Sequence, residues 1–328
     1  PLWHVGGLSV LLRAGSHGFA AVVHDGFDAH AVKRAVQEEH VTMLSVVAVM
    51  LQRMLDANDG RAYPSTLRCV LAGGGPVPRP LLERCATLGV PVVQTYGLTE
   101  TCSQIATLAP EDALRRIGAA GRPLYPNELR VVRPRGAEAD AGEAGEIVAR
   151  GPVVMAGYAG QPEATARALA GGWLHTGDIG HLDADGLLYL LDRRDDLIVT
   201  GGENVYPSEV EEALLAHRWV IEAAVIGLPD SQWGQRVVAV VRLGELSVAT
   251  EHAVEGAADG TAHGAAPGAD PRDVLKTHCR SRLGGYKVPR EIRVVTEPLP
   301  RTASGKLRRR ALREQIVSVD GLQPDTPD

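Results

Sequence analysis

The chain has 328 residues, 45% of them hydrophobic and 23% charged, with a formal net charge of −6. That length and apolar content allow two domains with real cores and exclude general disorder, and the mild acidity gives no general reason to bind nucleic acid. Four widely spaced cysteines, Cys69, Cys85, Cys102 and Cys279, form no Cys-x-x-Cys pair. This argues against a disulfide framework or a zinc site and fits a reducing cytoplasm. Residues 1–12 are apolar, but His4, Gly6 and Gly7 interrupt them and no basic region precedes them. They read as neither a signal peptide nor a membrane span. The start at Pro1, inside an apolar segment, reads as the middle of a domain whose N-terminal part is absent.

In chain order, Asp28 as N-cap with apolar Val32, Ala35 and Val36 predicts an amphipathic helix over 28–39. A short strand follows at 41–44, then a helix over 45–57 with Val46, Val49, Met50 and Leu55 on its apolar face. A buried strand at 67–71 runs into Gly73-Gly74-Gly75-Pro76; a helix over 78–88 and a strand over 91–95 come next. This alternation predicts a parallel α/β sheet. The pattern then shifts to short, Gly-punctuated β segments at 128–133, 145–151, 178–182 and 186–191, expected to form an antiparallel or barrel-like unit. After Asp195 come strands at 197–200, 221–227, 236–243 and 292–295, and helices after Pro207, over 272–283 and over 307–316. The expected fold class is α/β: a partial parallel-sheet large domain (1–191) with a small β-barrel-like subdomain (119–191), a hinge (192–195), and a smaller α+β C-terminal domain (196–318). An Ala/Gly-rich stretch at 245–270 is expected to be a flexible insertion, and 319–328 a tail. The basic run Arg308-Arg309-Arg310 with Arg313 reads as the solvated face of the last helix.

Several short segments carry chemistry, each with a plain alternative. Gly73-Gly74-Gly75 lets backbone approach a flat or anionic ligand, or is a tight turn. It lacks a dinucleotide fingerprint, and Gly305-Lys306 lacks a P-loop's upstream glycine and Ser/Thr. In Gln94-Thr95-Tyr96-Gly97-Leu98-Thr99-Glu100, beyond a carboxyl strand end, Tyr96 can stack on a purine, Thr99 can meet a phosphate and Glu100 can offer oxygen to Mg²⁺; the alternative is a polar turn. Asp178, in Thr176-Gly177-Asp178, and Arg193 suit a ribose, or are surface residues. Lys306 sits in a Ser/Gly loop where a mobile cation can meet transient negative charge, or is a solvated lysine.

Taken in order, these segments resemble the adenylate-forming superfamily of acyl-CoA synthetases over nearly the whole chain. The motifs carrying the resemblance are Pro1-Leu2-Trp3-His4, the glycine triplet, Tyr96 to Glu100, Gly145-Glu146-Ile147, Thr176-Gly177-Asp178, Arg193 with Asp195-Asp196, Gly201 to Glu211, and the Lys306 loop. The resemblance implies an ATP-dependent acid–CoA ligase that adenylates a carboxylate, releases pyrophosphate, and passes the acyl group to CoA. It implies catalytic roles for Lys306, Thr99, Glu100 and His4, with Glu100 on Mg²⁺. It implies that Gly73, Gly74, Gly75, Tyr96, Asp178 and Arg193 hold ATP/AMP, with Asp195 as the hinge. Gly202, beside Gly201, and Trp233 would face CoA, with Tyr286 lining that side and Lys287 and Arg290 meeting its phosphates. The opening segment through Arg13, with Gly73 to Pro76 and Thr99 to Gln104, is most similar to the o-succinylbenzoate–CoA ligases of menaquinone biosynthesis. There Arg13 would pair with the second, unactivated carboxylate. Medium- or long-chain fatty acids are the alternative substrates, and an inactive truncated nucleotide-binding module is the alternative role. The family's phosphate loop is absent from this sequence. The implied partners are a small-molecule carboxylate and CoA, with neither nucleic acid nor a membrane span; homo-oligomerisation is left open.

Overall fold

In the computed structural model the described residues are 2, 4–75, 77–244, 270–302 and 305–320. The expected insertion at 245–270, save Asp270, and the tail beyond Asp320 lie outside them, as do Pro1, Trp3 and Pro76. The chain divides into two compact units, Pro1–Leu191 and Asp192–Asp328.

The first unit opens with helix α1 (Val5–His17), which the sequence reading did not assign. His4 caps it, its ring Nδ1 accepting the Gly6 N–H at 3.0 Å, and Gly18 ends it at φ 71°. None of its residues is buried. Helix α2 (Ala29–Glu38) starts where Asp28 accepts the Ala31 N–H at 2.6 Å. Strand β1 (Met43–Val46), helix α3 (Ala48–Ala57), strand β2 (Cys69–Ala72), helix α4 (Arg79–Thr87) and strand β3 (Val92–Leu98) complete the alternating part, and β1, β2 and β3 pair in parallel. Leu51, Met54 and Leu55 lie one turn apart on α3 and are fully buried against Val70, Leu82 and Val92. Burying each such side chain contributes about 1.5–3 kcal/mol.

Beyond β3 the direction reverses. Strand β4 (Ser103–Thr107) pairs antiparallel with β3. The remaining strands are β5 (Ala119–Pro123), β6 (Glu128–Val132), β7 (Gly145–Arg150), β8 (Leu174–Leu182) and β9 (Leu188–Arg193), with the short helix α5 (Pro162–Ala168) before β8. They extend the same sheet in the order β1-β2-β3-β4-β5-β9-β8-β7-β6. The barrel-like subdomain is therefore corrected. Because β4 pairs with β3 on one side and β5 on the other, the antiparallel strands continue the parallel sheet, and no closed barrel forms among the described residues.

The second unit holds β10 (Ile198–Thr200), β11 (Glu203–Val205), α6 (Pro207–Leu215), β12 (Val220–Asp230), β13 (Gly234–Leu243), α7 (Pro271–Arg280), β14 (Glu291–Val295) and α8 (Arg309–Asp320). Its sheet is buried on both faces. Val237, Ala239 and Val241 pack with Leu214 and Leu275, while Val238 and Val240 pack with Leu312 and Ile316. The two-residue period of a strand thus explains an unbroken apolar run, 237–241. The basic run of α8 is not wholly solvated: the Arg310 side chain is 92% exposed but that of Arg309 only 14%. No helix among the described residues is long and apolar enough to cross a membrane.

Two histidines meet in this unit. The rings of His217 and His278 cross edge to face with centroids 4.8 Å apart. The His278 Nε2 donates to the Ala213 carbonyl at 2.9 Å, and the His217 Nδ1 accepts the Trp219 N–H at 3.3 Å. Burial first, then His278, Arg218 and Arg282, push the His217 imidazole down to about 4. The folded state therefore refuses a proton that the unfolded chain takes near pH 6.5. Stability from this pair should be complete above pH 6.5 and fall as pH drops towards 4. The expected loss is on the order of 1 kcal/mol after solvent screening. Denaturant unfolding between pH 7 and 4 checks this, and His217→Asn should flatten the slope.

Candidate functional site

In the first unit the candidate residues gather where the parallel strands end. Gly73 follows β2, and a Cβ built on it would lie 2.6 Å from Cγ2 of Thr95 on β3, so only glycine allows this approach. Tyr96 and Gly97 lie within β3 rather than in a turn, because the strand runs to Leu98. At Gly97 a Cβ would fall 1.8 Å from the Ser103 carbonyl oxygen, so β3 and β4 can close only around a glycine. A one-turn 3-10 segment, Thr99–Thr101, follows. Thr101, fully buried, donates its hydroxyl towards the carbonyls of Leu98 and Ser103 and accepts the Leu98 N–H.

Asp178 comes to this place from 82 residues away. The Tyr96 hydroxyl donates to its Oδ2 at 2.8 Å, with Tyr96 5% and Asp178 9% exposed. Tyr96 belongs to the apolar cluster that holds Ile105, Ile147 and Leu188. Asp178 lies in β8, at the end of an irregularity. Glu146 pairs with Ile179 and Val148 with His175, so Thr176, Gly177 and Asp178 bulge from the ladder opposite a single residue. The bulge is held by Thr176 donating to the Ile147 carbonyl at 2.7 Å, by the Gly177 N–H on Glu146 at 3.3 Å, and by the Asp178 N–H on the Thr176 hydroxyl at 3.1 Å.

Glu100 is partly exposed and accepts the Tyr158 hydroxyl at 2.9 Å. Its carbonyl accepts the Met155 N–H at 2.8 Å. Burial, then Glu100, raise the Tyr158 hydroxyl above its usual range, so it remains a donor. No group of three His, Cys, Asp or Glu that could hold a metal occurs among the described residues. One hard carboxylate oxygen fits Mg²⁺ if phosphate oxygens and water complete its octahedron. Thr99 is exposed at the start of the 3-10 turn. Arg13, on α1, lies with its Nη2 3.5 Å from the Gln104 amide oxygen of β4, joining the opening segment to the Tyr96 region. The His4 ring serves the α1 cap. Tyr158 and Glu146 escaped the sequence reading as contacts. Their signal, Gly157-Tyr158 and Gly145-Glu146, is too short to carry a role until the bulge and the turn are placed.

In the second unit Arg193 and Asp195 are exposed, Asp195 within the 3-10 turn Arg194–Asp196. Gly201 (φ 58°) and Gly202 (φ 85°) form the two-residue turn between β10 and β11. A Cβ on Gly201 would meet the Trp233 ring at 2.6 Å, while Gly202 faces open space. The Arg290 guanidinium lies 4.7 Å from the Trp233 ring centre and also lines a cleft of about 520 Å³ with Arg272, Lys276 and Arg293. Gly201, Trp233 and Arg290 are thus one surface, with Gly202 next to it in the turn. Tyr286 carries the Lys287 ammonium 5.7 Å from its ring centre, and Lys287 pairs with Glu209 at 2.7 Å.

Lys306 is exposed but not on a loose strand. Its carbonyl accepts the Thr302 N–H at 2.8 Å and its N–H reaches the Thr302 hydroxyl at 3.1 Å. Arg301 bridges to Leu307, donates to the Gly305 carbonyl at 3.0 Å and pairs with Glu222 at 3.1 Å. Against burial, Arg242 and Arg301 hold the Glu222 carboxyl below its usual range. Lys306 is thus held through its backbone to Thr302, and Arg301 ties the start of this segment to Glu222; Ala303 and Ser304 lie outside the described residues.

Comparison with known proteins gives a consistent set of relatives. The AMP-binding enzyme family profile matches residues 1–159, and the AMP-binding enzyme C-terminal domain matches residues 209–306. The 2-succinylbenzoate–CoA ligase of Geobacillus kaustophilus (strain HTA426) is 49% identical over 320 residues, covering 98% of this chain and 61% of that protein. The protein of the same name from Bacillus cereus (strain ATCC 10987 / NRS 248) is 44% identical over 320 residues, covering 97% and 61%. The Bacillus subtilis o-succinylbenzoate CoA synthetase, solved with its acyl-adenylate intermediate, superposes with a TM-score of 0.80 at 40% identity, covering 95% of this chain and 59% of that one. The same enzyme with ATP and a magnesium ion gives 0.79 at 41% identity, covering 95% and 60%. The chain therefore spans about three fifths of the length of the curated relatives it matches.

The Tyr96–Asp178 bond joins the two halves of the site in the first unit, and its worth is measurable. Tyr96→Phe keeps the ring and removes the donor from a nearly buried carboxylate. Denaturant unfolding should show a loss of about 1–3 kcal/mol.

Proposed function

The chain belongs to the AMP-binding enzyme family, and from that premise we propose that its protein is an AMP-forming acid–CoA ligase acting on o-succinylbenzoate. The observation that carries this reading is the 2.8 Å bond from Tyr96 to Asp178, beside the glycine approach at Gly73. It joins two distant segments that would hold a base and a ribose. The names of the relatives support the acid. The four cysteines are free, which supports a reducing cytoplasm as the place of action.

The chemistry must bring two anions together, the carboxylate and ATP. Gly73 to Gly75 and Tyr96 would border the adenine, Asp178 and Arg193 would hold the ribose, and Thr99 would donate to the α-phosphate. Glu100, oriented by Tyr158, would be the protein ligand of Mg²⁺, which when bound neutralises phosphate charge. Lys306 would stabilise the charge that develops as carboxylate oxygen attacks the α-phosphorus and pyrophosphate leaves. A change at Asp195 would then present the Gly202 and Trp233 surface. Gly202 adds no side chain to obstruct a pantetheine arm, and Arg290 offers charge to CoA phosphates. The CoA thiolate would attack the acyl carbon and release AMP. Arg13 would pair with the carboxylate that is not activated.

Full-length protein given o-succinylbenzoate, ATP and CoA should form the thioester with one AMP and one pyrophosphate. Release of ADP and phosphate, or turnover of fatty acids alone, would exclude the reading. Lys306→Ala should slow adenylation by about 10²–10³-fold, while preformed acyl-adenylate still reacts with CoA at close to the parent rate. Arg13→Ala should raise KM for the dicarboxylate by about tenfold to a hundredfold, as for loss of a charged hydrogen bond. Acids with one carboxylate should be unaffected, and steady-state kinetics on a substrate panel reads the difference.

A further inference from the structure

Arg309 is the first residue of α8, and a cation there opposes the helix dipole, so helix stability does not explain it. Three carboxylates surround it instead. Its Nε and Nη2 fork onto Glu211 at 2.9 and 2.7 Å, and its Nη1 lies 3.1 Å from Asp196 Oδ2 and 3.8 Å from Asp192 Oδ1. The cluster is shielded, with side-chain exposures of 14% for Arg309, 12% for Glu211 and 2% for Asp192. Each carboxylate reaches further into the unit or its entry. Glu211 accepts the Val225 N–H of β12 at 2.8 Å. Asp192 accepts the N–H of Arg193 at 3.0 Å and of Ser208 at 2.7 Å. Asp196 closes the 3-10 turn that contains Asp195.

We propose that Arg309 is a positioning residue: it ties the Lys306-bearing segment, three residues upstream, to the Asp192–Asp196 turn, so that the lysine keeps a fixed place relative to the pivot. The role assigned to Lys306 rests on the acid–CoA ligase reading; the mechanical tie does not. Arg301 on Glu222 clamps one root of the Lys306 segment and Arg309 clamps the other. A lysine that must leave and return then does so with its whole unit rather than by bending its own loop. The fork geometry calls for a planar guanidinium, which an ammonium cannot reproduce.

The test uses the full-length protein with Arg309→Lys, Arg309→Gln and Asp196→Asn, the last keeping the Glu211 fork in case Arg309→Gln does not fold. Amide hydrogen exchange should become at least tenfold faster at both Arg193–Asp196 and Arg301–Leu307. Adenylation, read by pyrophosphate exchange, should fall at least tenfold, while thioester formation from preformed acyl-adenylate changes less than threefold. Arg309→Lys should retain more adenylation than Arg309→Gln. Unchanged exchange at either segment overturns the tie, whatever the reaction is. Faster exchange with both half-reactions reduced equally overturns the positioning role. If the unaltered protein makes no acyl-CoA, the ligase reading fails while the exchange result still judges the tie.

Discussion

A phenol and a carboxylate buried together within an extended sheet constrain the first unit. Asp178 can remain at 9% exposure only because it is hydrogen-bonded, and the Tyr96 hydroxyl is one of its donors. That requirement brings β8, in the antiparallel part, to the end of β3, in the parallel part. The strands themselves would not do so. β3 and β8 are separated in the sheet by β4, β5 and β9, and β8 must bulge at Thr176–Asp178 for the carboxylate to arrive. The glycines serve the same convergence: Gly97 lets β4 fold back over β3, and Gly73 lets the β2 end lie against Thr95.

The second unit solves a different problem. Its sheet is covered on both faces by apolar clusters, and charged side chains around it form short ion-pair chains. Glu222 and Glu211 are the nodes. Both are partly buried: Glu222 is served by Arg242, Arg301 and the Leu299 N–H, and Glu211 by Arg309 and the Val225 N–H. Breaking one such node would leave a charge in a poorly solvated place, which is why these contacts resist rearrangement. Lys306 lies between the two nodes, with Arg301 on Glu222 before it and Arg309 on Glu211 after it. The surface made by Gly201, Trp233 and Arg290 is preset, since Gly201 accepts the indole where any side chain would collide.

Local rules explain which elements were legible from sequence and which were not. Asp28 announced α2, apolar spacing announced α3, and α4 and β13 were expected at 78–88 and 236–243. Helix α1 was missed because it buries none of its residues and two glycines open it. Strands β4, β5 and β11, and the short helix α5, were missed because each is short and carries no more than one Val, Ile or Leu. A strand that short earns its place from its neighbours in the ladder, not from its own pattern. The barrel-like expectation failed for the same reason. Alternation and glycine spacing describe single strands, whereas closure depends on which edges meet.

Residue type and order along the chain were enough to mark Gly73, Tyr96, Glu100, Asp178, Arg193 and Lys306 as candidates and to place the chain in its family, because those signals are carried by local chemistry and spacing. Long-range packing alone established that Tyr96 is buried against Asp178, that Tyr158 attends Glu100, and that Arg309 points inward to three carboxylates instead of outward to water. None of these follows from local pattern. Each is set by the need to satisfy a charge or hydroxyl once water has been excluded from around it, and which partner satisfies it is known only when distant segments have packed together.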